Sequence, residues 1–284
     1  MPHSFLIFGA NGQLGREFFR QFSLRSLPFS APDEQESSIT DTDLIARLID
    51  TSHASVVINC AAYNAVDAAE QDRDTAFRIN AEAVAGLALL CAEKKVRFVH
   101  YSSDYVFDGM KGGLYTEDDT THPIGAYGAS KRKGEEAVLA AGAGGLVLRT
   151  SWVFGNGTQN FLFKMKQWSQ KNPVLRLTAD EVSVPTSTID LAEYTLHAVD
   201  AGLTGLYHLT NSDYASRYEW GRYAAKKMGL ASTIIPVPMS MFPSPAARPL
   251  FSAMSSARIQ SALGREIPDW RDAVDRFLAE YPAV

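Results

Sequence analysis

Tyr127 and Lys131, in the stretch Ala126-Tyr127-Gly128-Ala129-Ser130-Lys131, stand four residues apart. On a helix this spacing places both side chains on one face, with Cβ atoms about 5–6 Å apart. A nearby ammonium favours phenolate over phenol and so lowers a tyrosine pKa from its ordinary value of about 10. Such a phenol suits general acid catalysis near neutral pH. A tyrosine and a lysine also meet by chance on many surface helices, so the pair takes its meaning from the segments around it.

The start of the chain supplies that context. Phe5-Leu6-Ile7-Phe8 is an apolar run, and Gly9-Ala10-Asn11-Gly12-Gln13-Leu14-Gly15 follows it directly and opens a helical pattern. The first glycine permits a tight turn, the second lets a pyrophosphate approach backbone N–H groups, and the third lets helix and strand pack closely. Anions are stabilised at such a helix start. The expected ligand is a dinucleotide, held at Gly9, Asn11, Gly12, Gln13, Leu14 and Gly15. Small residues in Asn59-Cys60-Ala61-Ala62-Tyr63 let it lie across the end of the next clear strand. The strand after that ends in Ser102-Ser103-Asp104, which brings hydroxyls to the same crevice.

Positioning these groups requires parallel strands whose ends meet. Strand-sized apolar runs recur at 5–8, 56–60, 96–101, 146–149 and 206–209. Helical patterns occupy 13–21, 43–50, 70–93, 126–140, 188–199, 218–228 and 270–280, with Asn80 interrupting the third. This alternation predicts an α/β fold, a doubly wound, Rossmann-like parallel sheet covered on both faces, with a smaller C-terminal substrate lobe. Residues 1–155 with 185–212 are expected to form the dinucleotide-binding domain, and 156–184 with 213–284 the substrate lobe. There the alternation weakens, and prolines gather at 236, 238, 243, 245 and 249.

A net charge of -5 and a pI near 5.7 give no general attraction to nucleic acid or to an anionic membrane. A phosphate-bearing ligand must therefore be held by local geometry. Cys60 and Cys91 lack the spacing of a zinc or redox motif and read as buried, reduced thiols. His3 leads straight into the first strand with no basic leader, and no later run reaches about 18 apolar residues. The expectation is a soluble, cytoplasmic protein.

The glycine spacing is GxxGxxG, and YSSDYVFDG (101–109), YGASKRKGE (127–135) and LRTSWVFG (148–155) follow in that order. GANGQLGRE, VVINCAAYNAVDAAE, FRINAEAV, Asn160-Phe161 and the ARP at 247–249 complete the set. With these strings the chain resembles the extended short-chain dehydrogenases/reductases, and within them the dTDP-4-dehydrorhamnose reductase family, over nearly its whole length. The resemblance implies reduction of the C4 keto group of dTDP-4-dehydro-L-rhamnose, a dTDP-4-keto-6-deoxysugar, by NADPH or in some members NADH. It casts Tyr127 as proton donor, Ser103 as hydrogen-bond donor to the developing alkoxide, and Lys131 as the group that tunes Tyr127 and holds the nicotinamide ribose. Ser38, Ile39, Ala61, Ala62, Tyr63 and Ser102 join the cofactor set. Asp104, Tyr105, Val106, Phe107 and Trp152 fall around the sugar, with a core position the equal alternative for Val106 and Phe107. Asn160 and Arg248 fall toward the nucleotide diphosphate, for which an arginine fork is well matched, a structural ion pair being the alternative for Arg248.

Ser103 stands where this family more usually has threonine, and either hydroxyl can donate. Asn64 also replaces a common threonine, and Asn80 matches a helix-interior asparagine of supporting role. Asp33, Glu34 and Glu36 favour the free ribose hydroxyl of NADH, and Arg16 the 2′-phosphate of NADPH; the family tendency selects NADPH. Some members carry a metal at a dimer contact through glutamates. Glu17 matches one such position, but Asp190 replaces a second, and no metal is expected. The resemblance leaves room for a homodimer. A reductase of another nucleotide 4-keto-6-deoxyhexose shares these motifs, as does a non-catalytic, cofactor-binding regulatory subunit of the methionine adenosyltransferase type. A sugar-nucleotide dehydratase does not, since those relatives place Asp-Glu after the catalytic hydroxyl, and here Tyr105 follows Asp104.

Overall fold

Every residue of the strands Phe5–Phe8, Val56–Asn59 and Leu146–Thr150 is buried, because successive side chains alternate between two faces and helices cover both. Phe5 and Ile7 pack with Phe18, Phe22, Val56 and Leu191 on one side. Leu6 and Phe8 pack with Ile45, Ile49, Val84 and Leu87 on the other. The computed structural model describes residues 3–32, 38–142 and 144–281; Asp33, Glu34 and Glu36 lie outside the described residues.

Six parallel strands lie in the order Gly205–His208, Leu146–Thr150, Arg97–Ser103, Val56–Asn59, Phe5–Phe8 and Phe29–Ser30. Five were expected; the sixth, Phe29–Ser30, has two residues, too few for a periodic signal. The chain changes its direction of travel across the sheet at Phe5–Phe8. That reversal opens a crevice at the carboxyl ends of Phe5–Phe8 and Val56–Asn59, the ligand position of doubly wound sheets.

The helices Ala126–Ala140 and Trp270–Glu280 have the expected limits. The expected helix 70–93 divides instead. Ala68–Glu70 forms a separate 3₁₀ turn, and the helix proper begins at Arg73 and passes through a π-helical turn, Arg78–Glu82, around Asn80. The span Arg73–Glu93 is long and apolar enough to cross a membrane by length and composition. Here its apolar residues Val84, Leu87, Ala88 and Cys91 pack into the core against the sheet.

A third core, built from Phe154, Leu162, Leu177, Trp220, Trp270 and Phe277, lies beyond the strand ends. The strands Val174–Thr178 and Thr233–Val237 pair in parallel beside it. These strands and the helices Phe161–Lys171 and Ala257–Leu263 went unforeseen. Thr233–Val237 contains Pro236, which reads as a breaker but is tolerated in a two-stranded sheet, where each strand has a free edge.

Candidate active site

The strand Arg97–Ser103 ends at the crevice and turns at once into a 3₁₀ helix, Asp104–Val106. The Ser103 hydroxyl caps this turn, accepting the Tyr105 N–H at 3.2 Å and donating to Asp104 Oδ1 at 3.1 Å. Asp104 is buried, and its other oxygen takes hydroxyls from Ser183 at 2.8 Å and Ser252 at 2.5 Å. Burial pushes its carboxyl up, while the three serine bonds act against that rise. Asp104 therefore ties the strand end to the smaller lobe and orients Ser103.

Helix Ala126–Ala140 lies against this turn. A Cβ on Gly128 would stand 2.1 Å from the Tyr105 carbonyl oxygen, so the approach demands glycine. The Glu70 carboxylate caps the helix start, accepting the Ala126 N–H at 2.7 Å. Asn80 holds the Tyr63 backbone through both N–H and C=O and donates to Ser130 Oγ at 3.0 Å, the supporting role expected of it. The Tyr127 hydroxyl points to Asn64 Oδ1 at 3.4 Å, and its ring meets Tyr105 edge-on at 5.8 Å.

Tyr127 and Lys131 do share this face, but the expected direction of the tyrosine shift is reversed. Burial pushes the Tyr127 phenol up to about 12, against a hydrogen-bonding contribution from Ser103. Lys131 is 3% exposed and gives its ammonium to the Tyr101 carbonyl at 2.6 Å. Burial pulls it down to about 8. Desolvation dominates both shifts, opposed at Lys131 by the Glu135 charge, because both groups are buried in the crevice wall.

Gly12, Gln13, Leu14, Ala61, Ala62 and Ser102 line a cavity of about 710 Å³ that Ser103, Tyr127 and Lys131 also line. The turn at Gly9 has φ +76°, and a Cβ there would lie 2.5 Å from the Ala61 N. The helix Gln13–Arg25 starts at Gly12 with no side-chain cap and no acid in its first turn, which leaves its N–H groups open to an anion. Gln13 Oε1, Ser102 Oγ, Thr150 Oγ1 and Trp152 Nε1 are buried with no hydrogen-bond partner among the described residues, and all four residues line this cavity. Unpaired buried polar atoms are costly, so the wall fits a polar ligand of dinucleotide size.

Several predicted contacts lie elsewhere. Tyr63 packs its ring with Ala69, Ala76 and Ala126. Ser38 is exposed and shares its hydroxyl with Thr40, and Ile39 is buried with Leu6 and Phe8. Asn11 and Gly15 belong to the glycine turn, where Arg16 donates to the Asn11 and Asn156 carbonyls at 2.8 Å each. Of the two places open to Val106 and Phe107, the sugar wall and the core, the structure gives the core: both are fully buried with Tyr115 and Met254, because the 3₁₀ turn carries them inward. Glu17 and Asp190 are buried carboxylates satisfied by protein donors: Arg20, Gln21 and Tyr281 for the first, Arg276 and Asn211 for the second. Cys91 is buried; Cys60 is only partly so and borders the cavity.

A second cavity of about 840 Å³ adjoins the first and shares Trp152, Gln159, Lys164 and Arg217 with it. Its wall is aromatic at Phe161, Trp168, Trp220 and Phe242 and cationic at Lys164, Arg176, Arg217 and Arg248. Trp152 holds a left-handed backbone, φ +40°, an uncommon conformation that turns its indole between the two spaces. Asn160 lines this wall, but its amide caps the helix Phe161–Lys171 and donates to the Gly155 and Gly157 carbonyls. Arg248 is held by Asp67 at 2.8 Å. Lys164, Arg217 and Glu181 were not foreseen. The only local signal was the Ser216–Glu219 capping box, which sets Arg217 at a helix start.

The model of the RmlD substrate binding domain family matches residues 3–283. The dTDP-4-dehydrorhamnose reductase of Burkholderia thailandensis is 36% identical over 288 residues, covering 95% of this chain and 96% of its own. The crystal structure of a dTDP-4-dehydrorhamnose reductase from Clostridium acetobutylicum superposes with a TM-score of 0.94 at 32% identity, covering 98% of this chain and 99% of its own. That of the Bacillus anthracis dTDP-4-dehydrorhamnose reductase, in complex with NADP, also has a TM-score of 0.94, at 29% identity, with 99% of this chain and 100% of its own covered.

Proposed function

We propose, since the chain belongs to the RmlD substrate binding domain family, that it is an NADPH-dependent oxidoreductase reducing the C4 keto group of dTDP-4-dehydro-L-rhamnose to dTDP-L-rhamnose in deoxysugar nucleotide synthesis. The observation that carries this reading is that Ser103, Tyr127 and Lys131 line one dinucleotide-sized crevice, which adjoins an aromatic, cationic cavity. In the same reading, residues 1–155 with 185–212 bind the cofactor and 156–184 with 213–284 the sugar nucleotide, and the protein works in the cytoplasm. The third core, drawn mainly from 156–184 and 213–284, supports that division, while Ile259 and Ile267 of the second range pack into the core of the sheet.

Gly12, Gln13, Ala61 and Ser102 would hold NADPH, which would supply the hydride when bound. Tyr127 keeps its proton throughout the neutral range, because burial raises its phenol. It releases that proton to the substrate oxygen as charge builds there, an alkoxide being far more basic than a phenolate. The Ser103 hydroxyl, whose rotor can turn from Asp104, donates to the same oxygen. The Lys131 ammonium adds positive charge to the wall behind the phenol.

The rate of reduction should fall above pH about 8, as Lys131 loses its proton, and Lys131→Arg should remove that limb. A rate that stays level to well above that pH in the wild type would detach the lysine charge from catalysis. Between pH about 8 and 10.5 the unfolded chain binds more protons at this residue than the folded one. The contribution of Lys131 to stability therefore rises with pH across that window.

NADPH oxidation, followed by absorbance with a panel of dTDP-4-keto-6-deoxysugars, tests the reading. Turnover fastest with dTDP-4-dehydro-L-rhamnose is expected. Preference for a different epimer would reassign the sugar, and tight cofactor binding without oxidation by any member of the panel would favour a regulatory subunit.

A further inference from the structure

Arg217 begins the helix Arg217–Lys227, next to its Ser216 cap, and lies flat over the Trp152 indole at 3.6 Å. Phe161 and Trp220 flank it at 5.5 and 5.6 Å. It borders both cavities, so it stands where the catalytic end meets the aromatic end. Burial raises Asp104 and Tyr105 at the catalytic end, and the Arg217 charge is among the influences that oppose this. No hydrogen bond from its guanidinium is made among the described residues. Its counter-charge is Glu181, at a separation of 3.7 Å, beyond hydrogen-bonding range.

Glu181 is 7% exposed and lines the aromatic cavity. Thr178 donates to its carboxylate at 3.2 Å, and its charge also bears on Arg248. A guanidinium already flattened on an indole loses little freedom on binding, and its edge donors match phosphate oxygens. A sugar at Ser103 and Tyr127 joined to a nucleoside among the aromatic rings must pass its diphosphate through this junction.

We propose that Arg217 is the cation that grips the diphosphate and that Glu181 is its built-in competitor, an anion that the diphosphate displaces from the guanidinium. The inference rests on the nucleotide-sugar reading above. It gives Glu181 a definite consequence: this carboxylate weakens binding of the nucleotide diphosphate and hastens product release.

Calorimetric titration of the wild type, Arg217→Gln, Arg217→Lys, Glu181→Gln and the double variant with dTDP, thymidine and NADPH tests it. Loss of charge-assisted hydrogen bonds should weaken dTDP about 10- to 100-fold in Arg217→Gln, with thymidine and NADPH unaffected. Arg217→Lys should fall between the two. Removing the competing anion in Glu181→Gln should tighten dTDP roughly three- to tenfold at low salt. That gain should vanish in the double variant, since the two residues act on one another.

Equal weakening of dTDP and thymidine in Arg217→Gln would make the residue a support for the aromatic wall and overturn the assignment. Unchanged dTDP affinity in Glu181→Gln would overturn the competitor role. A wild type that binds NADPH but neither dTDP nor thymidine would sink the nucleotide-sugar reading itself, a result distinct from both.

Discussion

Tyr127→Phe is expected to lower kcat for keto reduction by about 10²–10⁴-fold while leaving NADPH affinity close to that of the wild type. The expectation follows from what the substitution removes. Among the described residues the hydroxyl meets Asn64 Oδ1 at a long 3.4 Å and Ser103, whose hydroxyl keeps its bonds to Asp104 and the Tyr105 N–H, so its loss strands no tightly held partner. The ring keeps its edge-on contact with Tyr105 and its packing against Ala69, Ala76 and Ala126. The fold and the crevice should therefore survive, and only the proton disappears. An interaction made only in the transition state lowers kcat and kcat/KM together, which separates this variant from one that merely binds substrate less well. Steady-state kinetics beside a thermal melt checks both halves. Turnover at the wild-type rate would remove Tyr127 from the mechanism, and an equal loss of melting temperature would make the effect structural.

Glu135→Ala is expected to destabilise the protein by about 3–5 kcal/mol, lowering Tm by about 10 °C. Glu135 lies one turn beyond Lys131 on the catalytic helix and holds Arg149 of the strand Leu146–Thr150 in a two-pronged pair, at 2.8 and 2.7 Å. Both side chains are buried, with relative exposures of 4% and 5%. Phe107 covers the guanidinium, and His208 Nε2 stands 3.4 Å from one of its nitrogens. Removing the acid alone leaves an uncompensated buried cation, whose desolvation is no longer offset. Replacing both partners together, as Glu135→Leu with Arg149→Met, should recover most of the stability. Recovery in the double variant distinguishes a stranded charge from simple loss of packing. If Glu135→Ala melts within about 2 °C of the wild type, the pair contributes little to stability, as exposed pairs do.

Much of this molecule is legible from local pattern. Five of the six sheet strands and the limits of Ala126–Ala140 and Trp270–Glu280 emerge from runs and periodicity. Gly9, Gly12 and Gly15 announce the turn: at Gly9 a side chain would strike the Ala61 backbone, and at Gly15 the Gly9 carbonyl. The smaller lobe was less readable. Phe161–Lys171 mixes aromatic and basic residues without a clean stripe, and its start is set by Asn160, whose cap is visible only once the Gly155 and Gly157 carbonyls are in place. Val106 and Phe107 follow the reactive serine in sequence, yet a single 3₁₀ turn sends them into the core.

What the chain determines by itself is the set of groups and their order: a phosphate-ready glycine turn, a serine at a strand end, and a tyrosine and lysine on one helical face. These are features of spacing, and spacing is local. The tertiary structure alone decided how those groups behave. Tyr127 rises instead of falling because walls from distant segments strip its water away, and Lys131 falls for the same reason. Arg217 and Glu181 acquire a role only where the smaller lobe meets the crevice. Desolvation and charge pairing depend on which remote side chains share a cavity, and no window along the sequence contains that information.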